Sequence, residues 1–345
     1  MSLKTQPCGT ILTFGELLLR IALDAKRDWL KKKHFPFFIG GAELNVATAL
    51  ALWGLPTRHF TAMPDNYMCR ELVLMLQQQN IDTSQIHYDG KRLGIFYLTS
   101  GQDMKHDAVI YDRSGSSFAE LRPGIVDWDA VLMGVSWFHF SAICPAISQH
   151  TADLCEEVLK VASAKGITIS IDLNYRSKLW KYGKLPSQVM PPLVKYCDII
   201  MGNLWAADIM LGLSSATGID ESEKKAGYLR RANLLSAKIM QQFPNCRMVA
   251  NTFRFDNDGL INYYTTLYTT GNFYQSAAYQ SNSITNKVGS GDCFMAGLIY
   301  GVYTNLPAQQ TLAYATAAAF TKLFIPGDAT TATVDEINKA IIYGS

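Results

Sequence analysis

The stretch Asn286-Lys287-Val288-Gly289-Ser290-Gly291-Asp292 stands directly before Cys293-Phe294-Met295-Ala296-Gly297-Leu298-Ile299. The second stretch is apolar on nearly all sides, which is typical of a buried helix. The first stretch is therefore predicted to be a glycine-rich loop that opens a helix N-terminus. Glycines let the backbone turn sharply and approach a ligand, and free N–H groups together with the helix dipole attract an anion. Phosphate is the natural occupant of such a loop.

Asp292 places a carboxylate beside this predicted phosphate site. The two negative charges would repel each other unless a proton-bearing nucleophile or a cation lay between them, so the pairing favours a base that orients an attacking hydroxyl. Asp is also a preferred N-cap residue, so the loop taken alone is also explained as a helix cap. A dinucleotide-dependent dehydrogenase is disfavoured because Phe294 replaces the last glycine of G-x-G-x-x-G. A P-loop protein is disfavoured because no G-x-x-x-x-G-K-[ST] motif occurs.

Composition narrows the class of protein further. The 345 residues are 48% hydrophobic and 17% charged, which suits one large α/β domain, residues 1–345, with a small appendage. The 31 Lys and Arg nearly balance the 29 Asp and Glu, so nucleic acid is not an expected partner. We find no signal peptide and no long apolar run, and the seven cysteines have no metal-ligand spacing. These features predict a cytoplasmic protein with no membrane partner.

Short apolar runs alternate with longer helix-like segments, which indicates a mainly parallel sheet. Strands are predicted at residues 131–141, 167–173, 197–201 and 247–251, and helices at residues 148–165 and 225–242. Polar residues follow two of these strands at the edge where α/β proteins bind ligands. The polar residues are Asp172, Asn174, Arg176 and Asn203. Two other segments, about 16–40 and 92–120, break the rhythm and are predicted to form a small β lid, with a hairpin from residues 94–99 and 108–111.

Two glycine motifs at opposite ends of the chain occur together. Gly40-Gly41 with Asn45 lies near the N-terminus, and the Gly289–Asp292 loop lies near the C-terminus. Together they resemble the two signatures of ribokinase-like, PfkB-type carbohydrate kinases, and the resemblance extends from Phe14-Gly15-Glu16 to Gly327-Asp328. It implies a three-layer α/β fold, a mainly parallel central sheet with a β-sheet lid, and a sugar kinase that uses ATP and Mg²⁺. The protein ligands of the metal remain open.

Residues 171–180 read Ile-Asp-Leu-Asn-Tyr-Arg-Ser-Lys-Leu-Trp and look like the D-x-N-x-R-x-x-L-W stretch of 2-keto-3-deoxygluconate kinases. Tyr97 and the run Tyr111-Asp112-Arg113 match that group too. The resemblance implies phosphorylation of 2-keto-3-deoxygluconate to 2-keto-3-deoxy-6-phosphogluconate. Because arginine offers a rigid donor fork to a carboxylate, Arg113 and Arg176 are expected to bind the acid end of this sugar, unless they are structural. Tyr97 and Tyr111 either bond sugar hydroxyls or only pack.

The resemblance also assigns roles to the remaining motif residues. Asp292 would be the base, and the amides of Gly289, Ser290 and Gly291 would stabilise the transferring phosphoryl group. The expected sugar contacts are Gly40, Gly41, Asn45 and Asp328. The expected nucleotide contacts are Asn203, Thr252, Arg254, Gly289 and Gly291.

Several positions depart from the family pattern. Asn286 and Val288 stand where Asp and Thr are common, and Ala206 removes the carboxylate of an N-x-x-E motif that begins at Asn203. These losses leave open a sugar or nucleotide sensor that does not turn over. A kinase for a neutral sugar such as fructose or ribose is the other alternative. A homodimer formed through the lid is expected, because pairing would cover an exposed apolar lid face.

Overall fold

A ten-stranded sheet forms the centre of the structure. The computed structural model describes residues 8–23, 28–99, 109–213, 224–257 and 259–341. In chain order the strands are β1 (Thr10–Phe14), β2 (Leu18–Leu23), β3 (Phe37–Gly40), β4 (Thr57–Phe60), β5 (Ala62–Met63), β6 (Ile81–Asp82), β7 (His87–Tyr88), β8 (Gly94–Thr99), β9 (Val109–Asp112), β10 (Val135–Ser141), β11 (Thr168–Asp172), β12 (Ile199–Gly202), β13 (Met248–Asn257), β14 (Leu260–Thr269), β15 (Asn272–Gln275) and β16 (Tyr279–Ser281).

Helices cover this sheet. In chain order they are α1 (Trp29–Lys32), α2 (Ala42–Leu52), α3 (Tyr67–Gln78), α4 (Trp128–Val131), α5 (Ile143–Ile147), α6 (Gln149–Ala164), α7 (Pro186–Val194), α8 (Leu204–Leu211), α9 (Lys224–Gln242), α10 (Ser290–Tyr303), α11 (Ala308–Lys322) and α12 (Val334–Ala340). Among the helices of the described part of the chain, none is both long enough and apolar enough to cross a lipid bilayer.

The order of the large sheet is β15-β14-β13-β12-β11-β10-β1-β4-β6, and β16 pairs with β14. Strands β13, β12, β11, β10, β1, β4 and β6 pair in parallel, each with the next in this order. Strand β14 pairs antiparallel with β13, β15 and β16. The mainly parallel sheet predicted from the sequence is therefore confirmed. The carboxyl ends of the parallel strands meet at one edge, where ligands bind in such sheets.

Alternating residues of the central strands fill two separate hydrophobic cores. In β10, Trp137 packs into the core that contains α2, α10, α11 and α12, and Phe138 packs into the core that contains α6, α7, α8 and α9. Ile199 and Ile200 divide in the same way in β12. Since successive side chains of a strand point to opposite faces, this division shows helices on both faces of the sheet. The three-layer fold is confirmed.

The lid is a four-stranded sheet in the order β3-β2-β8-β9. Strands β8 and β9 form the predicted antiparallel pair, while β2 and β8 run parallel. Residues 24–27 and 100–108 of the predicted lid segments lie outside the described residues. On the inner face, Phe96, Leu98 and Val109 pack with Leu18 against Val288 of the glycine-rich loop. The lid therefore rests directly on the predicted phosphate site.

The predicted strand at residues 131–141 is wrong over its first part. Asp127 caps the short helix α4 by accepting a hydrogen bond from the amide of Ala130, and this helix continues to Val131. Gly134 then turns the chain at a φ of 72°, and the strand begins at Val135. Asp is favoured at an N-cap and glycine at a positive φ, so two local signals outweighed the apolar run.

Candidate active site

A cleft lies between the lid, the carboxyl ends of the central strands and the first turn of α10. It encloses about 1300 Å³ of space free of protein atoms, part of it open to solvent. Thirteen of the fifteen residues predicted as site residues line this cleft, which brings the two ends of the chain to one site. They are Gly41, Asn45, Tyr111, Arg113, Arg176, Asn203, Thr252, Arg254, Gly289, Asp292 and Asp328, together with Ser290 and Gly291 of the loop.

Helix α10 begins earlier than its apolar pattern indicates. Gly289 is the N-cap residue, with a left-handed φ of 79°, and Ser290 is the first helical residue. Asp292 thus lies inside the first turn, and the explanation of Asp292 as a helix cap is wrong. The amides of a first helical turn have no carbonyl partner within the helix, so those at Ser290 and Gly291 are available to an anion in the cleft.

The two loop glycines are required for different reasons. A Cβ on Gly289 would lie 1.8 Å from the carbonyl oxygen of Asp328, so a side chain there would collide with backbone. A Cβ on Gly291 would meet nothing closer than the Cε of Met201, at 4.0 Å. Gly289 therefore allows the loop to pack, whereas Gly291 leaves open space for a ligand to approach the helix.

Asn45 of α2 contacts the predicted base directly. Its Nδ2 donates a 2.7 Å hydrogen bond to Oδ2 of Asp292, and both side chains are buried. The Oδ1 of Asn45 is also buried, and it has no hydrogen-bond partner among the described residues. Asn45 therefore holds the carboxylate on one side and presents an acceptor to a hydroxyl donor on the other.

Apart from Glu16 and Asp328, which form ion pairs, three buried carboxyl groups line the cleft, and of these three only Asp292 was predicted to act there. Burial raises the pKa of Asp292 to about 7 and that of Asp172 to about 6. Burial also raises the pKa of Glu43, which accepts hydrogen bonds from the amide of Ser141 at 3.0 Å and from the thiol of Cys144 at 3.4 Å. Repulsion by Glu43 adds to the shifts of Asp172 and Asp292, and repulsion by Asp172 adds to that of Asp292.

Sequence reasoning missed Glu43 as a site residue and noted Asp172 only for its place after a strand. A usable signal existed for both, since Glu43 lies between the Gly40-Gly41 pair and Asn45, and Asp172 opens the D-x-N-x-R stretch.

Arg176 is the cation beside these carboxyl groups. Its attraction lowers the pKa of both Asp172 and Asp292 against the effect of burial. Its Nη1 donates a 3.3 Å hydrogen bond to the carbonyl of Tyr175, and its buried Nε lacks a partner among the described residues. The guanidinium therefore has a donor left for a ligand in the cleft.

Arg113 differs from Arg176 because it already has a carboxylate partner. Its Nε and Nη2 each lie 2.5 Å from Oε2 of Glu16, and Ser116 donates a hydrogen bond to Oε1 of the same carboxylate. All three side chains are buried. Arg113 lines the cleft as predicted, but its charge is balanced by Glu16.

A second buried ion pair joins the lid to the far end of the chain. Arg20 of β2 binds Asp328 through Nε at 2.8 Å and Nη2 at 2.5 Å, and its guanidinium stacks on Phe38 at 4.2 Å. A Cβ on Gly40 would lie 2.8 Å from Oδ2 of Asp328. Gly40 therefore packs against Asp328 and does not line the cleft, where a sugar contact was predicted for it. Asp328 lines the cleft as predicted.

The lid tyrosines lie on opposite faces. Strand β8 alternates, so Phe96 lines the cleft and Tyr97 lies on the outer face, beside Ile21 and Ile110. Tyr111 of β9 is the register partner of Phe96 and lines the cleft as predicted. The predicted contact between Tyr97 and a sugar is therefore wrong for this cleft, because a β-strand cannot present two successive side chains to one face.

The residues predicted to contact a nucleotide line a continuous part of the wall. Asn203 caps α8 by accepting a 2.8 Å hydrogen bond from the amide of Ala206, and both residues reach the cleft. Thr252 and Arg254 extend from β13, and Nη1 of Arg254 donates to the carbonyl of Lys287 at 3.4 Å. This wall carries amides, hydroxyls and cations, which are groups that bind phosphate and ribose.

The departures from the family pattern have local explanations in the structure. Asn286 donates from Nδ2 to the carbonyls of Pro326 and Gly327, at 2.8 and 3.0 Å. Asp208, two residues after Ala206 in α8, forms an ion pair with Arg231. No cluster of three metal-ligating side chains occurs among the described residues. A magnesium ion here would depend on phosphate oxygens and water, as this ion commonly does.

Comparisons with known proteins agree with this geometry. Residues 9–237 match the model of the pfkB family carbohydrate kinases. The chain is 24% identical over 338 residues to a 2-dehydro-3-deoxygalactonokinase of Haloferax volcanii, covering 97% of each chain. It is 24% identical over 312 residues to a 5-dehydro-2-deoxygluconokinase of Geobacillus kaustophilus, covering 89% of this chain and 86% of that one.

A solved structure adds a match in three dimensions. The 2-dehydro-3-deoxygluconokinase of Thermotoga maritima is 30% identical, has a TM-score of 0.85, and is covered over 96% of this chain and 98% of its own. The family model covers well over half of the sequence, and the Gly40-Gly41 motif lies within the matched residues. This chain belongs to the pfkB family of carbohydrate kinases.

Proposed function

We propose that this protein transfers the γ-phosphoryl group of ATP to the terminal hydroxyl of 2-keto-3-deoxygluconate. The observation that carries the proposal is the position of Asp292, a buried carboxylate held by Asn45 in the first turn of α10. A proton acceptor therefore lies beside first-turn amides that are available to a phosphate. A hydroxyl between them would face both its base and its electrophile.

The proposed step moves one proton and one phosphoryl group. The sugar hydroxyl oxygen forms a bond to the γ-phosphorus, the bond from that phosphorus to the bridging oxygen of ADP breaks, and Asp292 takes the hydroxyl proton. Burial raises the pKa of Asp292 to about 7, which makes it a better proton acceptor at neutral pH than an ordinary Asp. The hydrogen bond from Asn45 keeps enough of the carboxylate ionised to act.

The first turn of α10 is proposed to stabilise the charge on the transferring group. The amides of Ser290 and Gly291 and the open space at Gly291 fit a phosphate, and Arg254 and Lys287 add positive charge to the wall. Magnesium, when bound with the nucleotide, would neutralise charge on the phosphates. Asn203 and Thr252 are the proposed contacts to the rest of the nucleotide.

Substrate choice rests on Arg176 and on the named relatives. Arg176 has a guanidinium donor left for a ligand, whereas the three carboxyl groups beside it repel negative charge. A ligand that carries a carboxylate would therefore bind with this group directed at Arg176. The relatives named above act, by their names, on deoxy sugar acids that carry a keto group, written as dehydro in the names. These names support the class of keto-deoxy sugar acids, of which they include three members.

A neutral sugar such as fructose or ribose is the second candidate. It is favoured by one observation, the Arg113–Glu16 ion pair, which removes one of the two expected carboxylate binders. A sensor that binds without turnover is the third candidate, and Ala206 in the nucleotide wall is the observation that favours it.

The first experiment measures ADP release with ATP, magnesium and a panel of sugars. The panel holds 2-keto-3-deoxygluconate, its galactonate epimer, 5-keto-2-deoxygluconate, fructose and ribose, each tested with wild type and Asp292→Asn. Turnover on a keto sugar acid that Asp292→Asn lowers by about 10³-fold supports the proposal. Turnover only on a neutral sugar overturns the substrate, and nucleotide binding without any turnover favours the sensor.

We further propose a homodimer formed through the lid. The outer face of the lid carries one apolar row across all four strands, in which Phe37 and Ile110 are 59% and 60% exposed. Ile21 and Tyr97 complete the row by strand register. Pairing of two such faces would remove this row from water.

A further inference from the structure

Lys322 is a fully buried lysine beneath the glycine-rich loop. It ends helix α11, and its side chain has a relative exposure of 0%. Its ammonium can donate three hydrogen bonds, yet within the described residues Nζ reaches one acceptor, the carbonyl of Ile325 at 3.2 Å. Lysine is almost never fully buried without a charged partner in contact. Such a position calls for an explanation beyond packing.

The surroundings of Lys322 connect it to the phosphate-binding turn. Its Cε lies 3.3 Å from the place that a Cβ on Gly289 would occupy, so the side chain passes directly behind the N-cap residue of α10. The bond to Ile325 holds the start of the segment 325–328, and Asn286 holds the next two carbonyls of that segment. The last residue, Asp328, touches Gly289 through its carbonyl oxygen.

Helix α11 and the turn are joined by further hydrogen bonds. The Oγ of Ser290 donates to the carbonyl of Ala319 at 2.9 Å, and the thiol of Cys293 donates to the carbonyl of Ala318 at 3.3 Å. The amides of residues 285 and 286 both donate to the carbonyl of Leu323. The end of α11 therefore packs directly against the turn, and Lys322 places a positive charge at this contact.

Four ionisable groups act on the Lys322 amine. Asp328, Cys293 and Asp292 favour its charged form, whereas Arg20 opposes it. Burial outweighs these effects and lowers the pKa of the amine to about 8. The amine is still mostly protonated at neutral pH, so the turn has a buried cation behind it under working conditions.

We propose that Lys322 is a positioning residue of the phosphoryl-transfer site, whose ammonium fixes the turn at Gly289 and adds positive charge behind the amides that receive the phosphates. This inference rests on the proposed function. In a buried setting a cation interacts with a nearby phosphate more strongly than in water, because little solvent screens it. Lys322 would thus act through the turn, without touching the nucleotide.

The stability of the protein separates this role from a structural one. Burial lowers the folded-state pKa of the amine below its usual 10.5, so below about pH 8 the charged amine costs the fold free energy. A lysine that served only to fill space would be replaced by methionine with no effect on kinetics. A functional ammonium predicts slower phosphoryl transfer even though Tm stays equal or rises.

The test compares wild type, Lys322→Met and a control, Lys165→Met. Lys165 pairs with Asp129 at the surface, far in the fold from the cleft wall, and its loss is expected to change neither Tm nor kcat. For Lys322→Met we expect an unchanged or higher Tm at pH 7 and a kcat lower by about 10-fold or more. For wild type we expect activity to decline above about pH 8, and for Lys322→Met we expect this decline to be lost.

A binding measurement makes the inference independent of sugar turnover. Titration with a non-hydrolysable ATP analogue and magnesium should give a Kd several-fold weaker for Lys322→Met than for wild type. If wild type turns over no sugar, the proposed function fails while this comparison still tests Lys322. A lower Tm with wild-type kcat and wild-type analogue Kd would overturn the inference and leave Lys322 a packing residue.

Discussion

The amide of Asn45 donates a 2.7 Å hydrogen bond to the carboxylate of Asp292 across 247 residues of sequence. Helix α2 carries the donor and α10 carries the acceptor, and the two helices pack in the same hydrophobic core. This bond opposes the effect of burial on the pKa of Asp292, which still reaches about 7. A residue from the other end of the chain thus favours the ionised form of the proposed base against the effect of burial.

Replacing Asn45 by Ala should raise the pKa of Asp292 further, because the hydrogen bond that favours its ionised form is lost. The acid limb of the kcat profile should then move to higher pH, with kcat at pH 7 lower by about 10-fold and a smaller deficit near pH 8. Thr48→Ala, in the same helix, is the control. A uniform loss of kcat at every pH would contradict this account of Asn45.

Replacing Asp172 by Asn should stabilise the protein at neutral pH. Burial raises the folded-state pKa of Asp172 from 3.8 to about 6, so the folded state binds this proton more tightly than the unfolded state between those values. The stability that the protonated form contributes is therefore lost as the pH rises from about 4 to about 6. At pH 7 the buried, ionised carboxylate of Asp172 lowers the free energy of unfolding by its full amount.

The measurement is thermal unfolding of Asp172→Asn at about pH 4 and at pH 7. We expect a Tm higher than wild type by several degrees at pH 7, corresponding to about 2–3 kcal/mol, and no gain near pH 4. Asp129→Asn is the control, since its side chain is 81% exposed. An equal Tm change at both pH values would show that ionisation of Asp172 is not the cause.

Replacing Arg176 by Ala should discriminate a sugar acid from a neutral sugar. Loss of a half-buried guanidinium that binds a substrate carboxylate is expected to lower kcat/KM by about 100-fold for the acid and little for a neutral sugar. Arg122→Ala, at an exposed position paired with Glu120, is the control. The same small effect on both sugars would exclude Arg176 as the carboxylate binder.

The loop glycines offer a matched pair of variants. Gly289→Ala forces a Cβ against the Asp328 carbonyl at a left-handed φ, so we expect a Tm lower by several degrees. Gly291→Ala has room for its methyl group and should keep its Tm, while this methyl group weakens nucleotide binding. Calorimetric melting and ATP-analogue titration check both, and equal Tm losses would contradict the assignment.

The lid row predicts a quaternary change. Ile110→Arg places a charge in the apolar row of the outer face and should shift the protein from dimer to monomer in sedimentation velocity, with the fold intact by circular dichroism. Leu234→Arg, at an exposed site on α9, is the control for adding a charge to an apolar surface residue. A wild-type protein that sediments as a monomer would exclude the dimer.

Local patterns predicted most of the elements correctly. Ser148 and Thr151 form a capping box at the start of α6, and Gly166 follows its end at a φ of 71°, as the sequence between residues 148 and 166 indicates. The prediction of a strand over residues 131–141 was wrong because a four-residue helix occupies its start. The predicted sugar contact of Tyr97 was wrong because its aromatic character is visible in sequence, whereas the face that it occupies depends on strand register.

The sequence by itself determined the alternation of strands and helices, the glycine turn at 289–291 and the two motifs that identify the family. Those features depend on neighbouring residues, whose periodicity and backbone preferences are local. Only the tertiary structure decided which charges compensate one another. Arg113 is neutralised by Glu16, Arg20 binds Asp328, and Lys322 lies buried behind Gly289. Pairings between distant residues, and the pKa shifts that burial causes, arise only when the chain closes around them.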